Sequence, residues 1–287
     1  MLKKIIPLAI LAILMANCTK QLPQELTNKE KMNSLVISDP LIWNSLTDQS
    51  IELDTTLGMK SSNGMTKRQE YPANGYYFTF FEDLFPAQGD YDFNDVMLRT
   101  KLILDAKRDK IEGSLNTNLF NRGGTLPTRI GLMFYSIEGT NEYQRIDNQY
   151  IKVMDKHLEG DDPWSFEVPE VGTDIIIDFV IDTKKSKVKT IWVTYFIIVE
   201  TNGVSQEVHT SGFPISSITN KFKIPQRDYL TYNNLPWGIV LESEEFFIPL
   251  ETEVFIDVFP EFQEWAESEG KNKKEWHKNP NRNKIKG

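Results

Sequence analysis

The 287-residue chain holds one cysteine and three histidines, and its 32 Lys and Arg are outnumbered by 41 Asp and Glu. Each scarcity excludes something. A single thiol can build neither a disulfide framework nor a Cys-rich zinc site. The three histidines, His157, His209 and His277, stand in unrelated contexts, with no His-Glu-x-x-His pair among them and no Gly-x-Ser-x-Gly elbow in the chain. A formal net charge of −9 opposes nucleic-acid binding, which needs a basic surface to displace counterions. No apolar run reaches the roughly 20 residues a membrane-spanning helix needs. The remainder, 40% hydrophobic and 25% charged, is ordinary globular composition in a chain long enough to bury a core.

At the N-terminus, Lys3 and Lys4 precede Ile5 to Ala16, twelve residues without a polar side chain, which suits the core of an export signal. Cys18 follows in Leu14-Met15-Ala16-Asn17-Cys18, which resembles a bacterial lipobox. The resemblance implies a signal peptide over 1–17, lipidation of Cys18 and a membrane partner through that anchor. A general secretion signal beside a stray thiol is the alternative. Residues 18–70 are polar and are expected to form a tether with at most one short ordered segment. A β-rich domain is expected over 71–287. Its tail from Lys271 carries seven Lys or Arg against one Glu and reads as a solvated end. Between Cys18 and Gly270 there are 23 basic and 40 acidic residues, a balance that suits cation binding or solubility.

Tyr76 to Phe81, Val96 to Leu104, Arg129 to Tyr135, Asp174 to Asp182, Thr190 to Glu200 and Gln206 to Thr210 are rich in β-branched and aromatic residues and read as strands. No helical periodicity separates them. The expected fold is therefore mainly β: an antiparallel β-sandwich or jelly-roll-like body with a short C-terminal helical segment. In that segment Phe255, Phe259, Phe262 and Ala266 recur at helical spacing, Pro260 divides it in two, and Gly270 ends it. Its apolar face is expected to cover the open end of the sandwich.

The chemistry concentrates in residues 82–95. Asp90, Asp92, Asn94 and Asp95 fall within six positions, with Glu82 and Asp83 just upstream. Carboxylates this close repel unless a cation or hydrogen-bond donors neutralise them. Oxygen-only ligands favour a hard cation, Ca2+ before Mg2+, which keeps its waters. The loop is not an EF-hand: counting from Asp90, Asp95 replaces the required Gly and Lys101 the required Glu. A flat strand would space alternate side chains too widely to share an ion, so the segment must curl, with Gly89 supplying the freedom. The other reading is a scaffold of Asx turns in which each side chain caps nearby N–H groups. Elsewhere the signals are bland. His209 beside Glu207 reads as a structural histidine, Asp161-Asp162-Pro163-Trp164 as a polar turn, and Arg122-Gly123-Gly124 lacks the strand-to-helix setting of a phosphate loop.

Three ordered blocks carry a wider likeness. The first is Phe80-Phe81-Glu82-Asp83-Leu84-Phe85-Pro86 with Gly89-Asp90-Tyr91-Asp92-Phe93-Asn94-Asp95-Val96. The second is Glu207-Val208-His209 with Asn234-Leu235-Pro236-Trp237-Gly238-Ile239. The third runs from Pro249-Leu250-Glu251 to Phe259-Pro260-Glu261-Phe262-Gln263-Glu264-Trp265-Ala266-Glu267-Ser268. Together they resemble the LruC-domain family, domains associated with lipoproteins of Gram-negative bacteria. The resemblance implies a β-rich domain at the outer membrane or cell surface and carries over no catalytic residue. The expected function is a cell-envelope lipoprotein whose calcium-stabilised sandwich binds a glycan or protein ligand or serves envelope structure. The alternative is a secreted glycan-directed hydrolase, with its carboxylate pair drawn from Glu82, Asp90, Asp161 or Asp162.

Overall fold

The computed structural model describes residues 26–38, 50–52, 67–107, 109–138, 142–145, 164–167, 170–182, 188–210 and 229–287. Cys18 and the signal, most of the expected tether, His157, Asp161 and Asp162 lie outside them.

In chain order the described strands are β1 (Ser50–Glu52), β2 (Lys67–Tyr71), β3 (Tyr76–Phe81), β4 (Val96–Ala106), β5 (Lys110–Asn121), β6 (Thr128–Glu138), β7 (Glu142–Arg145), β8 (Trp164–Glu167), β9 (Asp174–Asp182), β10 (Val188–Thr201), β11 (Val204–His209) and β12 (Gly238–Ser243). They form two six-stranded antiparallel sheets. The first runs β1-β10-β6-β7, with β11 also on β10 and β8 on β6. The second runs β12-β3-β4-β5-β9, with β2 also on β4. The antiparallel sandwich expected from the sequence is therefore the fold. Asn202-Gly203 joins β10 to β11, both residues at positive φ (53° and 75°), as a tight hairpin turn between right-twisted strands demands.

β5 was not expected. Its sequence, KIEGSLNTNLFN, is polar and contains a glycine, both poor strand signals. The glycine has a partner-specific purpose: Gly113 pairs with Phe179 of β9, and any side chain there would overlap the phenyl ring. Gly131 of β6 makes the same space for Phe196 of β10.

Two hydrophobic clusters share the second sheet. Between the sheets, Leu98, Leu102, Leu115, Leu119, Ile177 and Phe179 meet Ile130, Leu132, Tyr195, Ile197 and Val208. On the outer face of β12-β3-β4, Phe78, Phe80, Met97, Ile239 and Leu241 meet the C-terminal segment. That double burial explains why every residue of Tyr76–Phe81 except Thr79 is aromatic, where a half-exposed strand would alternate.

The C-terminal segment forms α2 (Phe255–Val258) and α3 (Glu261–Glu267), preceded far upstream by α1 (Asn28–Asn33). The helices form where the periodicity placed them, but they lie on the outer face of the second sheet rather than over an open end of the sandwich. The tail is not a solvated end either. Trp276 is fully buried, its ring packed among those of Phe246, Phe255, Phe259, Phe262 and Trp265, and Ile285 bridges Pro249. The tail's charge stays outside this contact: Lys284 pairs with Glu253 at 2.6 Å. α1 opens with a capping box in which Thr27 and Glu30 satisfy each other's backbone N–H groups. It brings Met32, and after it Leu35 and Ile37, into the same cluster.

Candidate metal centre

Residues 82–95 form the long connection between β3 and β4, closed at its base by the pair Phe81↔Val96. The base of that hairpin sets Glu82 and Asp83 beside Asp95. The tip curls, as the spacing of acidic side chains required, but not at Gly89. The left-handed positions are Tyr91 (φ 58°) and Phe93 (φ 53°), unusual for bulky residues and costing about 1–3 kcal/mol each. Packing holds them there. Both rings are fully buried, Phe93 lies 5.1 Å from the Phe255 ring, and Phe255 N donates to Tyr91 O at 2.9 Å. With Tyr91 and Phe93 in the aromatic cluster, Asp90 and Asp92 turn to Glu82: the three carboxylates each place an oxygen within 4.8 Å of the others. Two oxygens on opposite sides of one Ca2+ stand about 4.8 Å apart, at twice the usual bond of about 2.4 Å.

Glu82 is the decisive member. Its side chain is 1% exposed. Oε1 accepts from Phe93 N at 2.6 Å, while Oε2 finds no donor among the described residues. Gly89 makes room for that bare oxygen, since a side chain at 89 would overlap it. Closeness to Glu82 is thus the reason for glycine at 89, in place of the backbone freedom expected there. Asp92 is fully buried and better served: Oδ1 accepts from Asn94 N at 3.0 Å, and Oδ2 from Asn94 Nδ2 at 2.8 Å and Thr252 N at 3.0 Å. Asp90 is half-buried and forms the open side.

Asp83, Asn94 and Asp95 face elsewhere. Asp95 Oδ2 accepts from Asp83 N at 2.7 Å. Asp83 Oδ2 and Asn94 Oδ1 are buried and, among the described residues, without a donor. Gly123 N donates to Asn94 O at 2.9 Å, which brings the Gly123-Gly124 pair against the loop. No ion pair reaches any of the five carboxylates among the described residues. Burial, first, and repulsion by neighbouring carboxylates, second, raise the proton affinity of Glu82, Asp92 and Asp95. Glu82 is held well above the carboxylate range by burial and by Asp95, Asp92 and Asp90. Asp92 is pushed to about 7 by burial and Asp90, and Asp95 to about 8 by burial and Asp83. Asp83 is raised by burial. As it stands the nest pays for its geometry with protons; a divalent cation would neutralise it with far better matched charge.

Asx bonding is present as well, in the Asp92 to Asn94 pair, so the two sequence readings of this loop are not exclusive. Glu251 and the glycines 123 and 124 escaped the sequence reading as members of the nest. The glycine pair was visible but had been weighed only as a phosphate loop, and nothing near Glu251 in sequence points to residues some 160 positions away. His209 is a core residue, fully buried, stacked on Phe196 at 4.5 Å, with Nε2 3.0 Å from Glu207 Oε2.

No curated protein matches the chain. A solved structure, that of a candidate lipoprotein from Bacteroides ovatus, aligns with a TM-score of 0.45 at 15% identity, over 80% of this chain and 78% of that one. That likeness is too slight to carry a conclusion. The family model for a domain of unknown function, DUF4842, matches residues 105–277, from the end of β4 to the buried Trp276-His277, and the chain belongs to that family.

Proposed function

We propose that this protein is a cell-envelope lipoprotein whose β-sandwich is stabilised by calcium in the β3–β4 loop and serves binding or envelope structure. The observation that carries the calcium reading is Glu82 Oε2: a bare, buried oxygen on a carboxylate grouped with two others. Leaving such a group unsatisfied costs about 1–3 kcal/mol or more, and an oxygen-only donor set suits Ca2+. The hydrolase alternative gains nothing from the site. Of the carboxylates it would draw on, Glu82 is buried, Asp90 is half-buried, and Asp161 and Asp162 lie outside the described residues.

The test is calorimetric titration of metal-stripped full-length protein with Ca2+, with melting followed in parallel. At a free concentration ten times the dissociation constant, binding to the folded state adds about 1.4 kcal/mol, a rise of a few degrees. Glu82→Gln should lose heat and shift together while remaining folded. A wild-type protein indifferent to millimolar calcium contradicts the proposal.

The anchor rests on Cys18 and the apolar run before it. The LruC likeness of the three sequence blocks supports the same placement, at the outer membrane or cell surface of a Gram-negative bacterium. Cys18→Ala should abolish fatty-acid labelling and membrane association; survival of both in the variant removes the lipoprotein reading.

A further inference from the structure

We propose that residues 26–38, the segment built around α1, are a strap whose docking against the β3–β4 loop is coupled to the divalent cation held there. Calcium fastens the strap, and loss of calcium releases it. The inference rests on the calcium reading of Glu82, Asp90 and Asp92 and adds a regulated part to that site.

Two hydrogen-bonded paths lead from the strap to the nest. On the first, Asn28 Nδ2 donates to Thr252 O, and Thr252 N donates to Asp92 Oδ2 at 3.0 Å. A single residue, at φ 64°, thus joins the strap to a candidate ligand. On the second, Asn33 and Gln88 exchange their amide hydrogen bonds, and Gln88 adjoins Gly89, against which Glu82 Oε2 lies. Packing makes a third connection. Asp90 and Asp92 turn to Glu82, while Tyr91 and Phe93 enter the cluster that takes Met32, Leu35 and Ile37. The strap has little order of its own to offer. α1 has six residues, and isolated helices shorter than about 12–15 residues are marginal in water. It is helical because it is docked, so docked and released are its two states. The loop decides between them. When ionised and without a cation, Glu82, Asp90 and Asp92 repel one another and favour a wider loop, which carries Gln88, Tyr91 and Phe93 away from their places against the strap. A cation shared by the three holds the closed geometry that the strap fits. With the anchor proposed at Cys18, release would lengthen the tether, since residues 26–38 fully extended add at most about 45 Å of reach.

By linkage, a cation that favours the docked strap is itself bound more tightly when the strap is docked, and by the same factor, typically about 5–150. The experiment reads both directions on metal-stripped full-length protein titrated with Ca2+. Hydrogen exchange of peptides covering residues 26–38 should slow at least about fivefold on adding calcium, at exchange times too short for β9 and β10 to exchange. The double variant Asn28→Ala/Asn33→Ala, which cuts both hydrogen-bonded paths without touching a candidate ligand, should bind calcium at least about fivefold more weakly by calorimetry. Met32→Ala, which loosens the packing alone, should weaken binding in the same direction. Calcium binding with unchanged exchange over 26–38, or with an unchanged Kd in both variants, overturns the coupling and leaves the calcium site standing. No calcium binding by wild type overturns the site reading and this one with it.

Discussion

At the scale of the residue, the nest makes a pH argument with a definite sign. Asp92 and Asp95 titrate near 7 and 8 in the folded metal-free protein, against about 3.9 in an unfolded chain. A carboxyl whose folded value is raised holds its proton more tightly when folded. Its stabilising effect is complete below about pH 4 and is lost as pH rises through the folded values. Metal-free protein should therefore melt at steadily lower temperature between pH 5 and pH 8.5. Calcium competes with those protons, so the rise in melting temperature on adding it should be larger at pH 8 than at pH 5. Melts with chelator and with calcium at both pH values check this; a metal-free melting point that climbs with pH refutes it. The six candidate ligands Glu82, Asp83, Asp90, Asp92, Asn94 and Asp95 were legible because they lie within fourteen residues and carry the same chemistry. Their division into two groups was not. It depends on which glycine each oxygen meets, and Gly123-Gly124 reaches the loop through the β4–β5 pairing and the bond from Gly123 N to Asn94 O.

At the scale of the element, legibility follows how locally the pattern is written. β9 and β10 were readable because their dense Ile, Val and aromatic runs already specify buried strands. β5 was hidden because Gly113 is explained only by Phe179 on another strand. The two short helices followed from four residues at helical spacing, while the tail misled because its charge outweighed one tryptophan in the count. Packing reverses that weighting: Trp276 is the hub of the outer aromatic cluster. Trp276→Ala should cost about 3–5 kcal/mol through the cavity it leaves. Ending the chain at Gly270 should give insoluble or protease-sensitive protein. Denaturant unfolding and limited proteolysis check both, and a truncated protein as stable as the full chain contradicts the packing described above.

At the scale of the whole molecule, the segment around α1 and the carboxylate nest are physically joined. α1 ties the N-terminal segment to the C-terminal one through Lys31–Asp257 at 2.7 Å and Asn28 Nδ2 to Thr252 O at 2.5 Å. Asn33 and Gln88 exchange two amide hydrogen bonds of 3.1 Å, which places the segment against the β3–β4 loop itself. The sequence suggested a tether here because polar residues dominate, yet Met32, Leu35 and Ile37 are enough to dock it, since a few buried side chains outweigh many exposed ones. The central claim, that this loop is a calcium site, has one direct test: a crystal structure of the full chain grown in calcium, with anomalous data. The account predicts a calcium peak about 2.3–2.6 Å from Glu82 Oε2 and bonded to Asp90 and Asp92. A map with no peak there, and with Glu82 Oε2 held by a water or a protein donor, would contradict it.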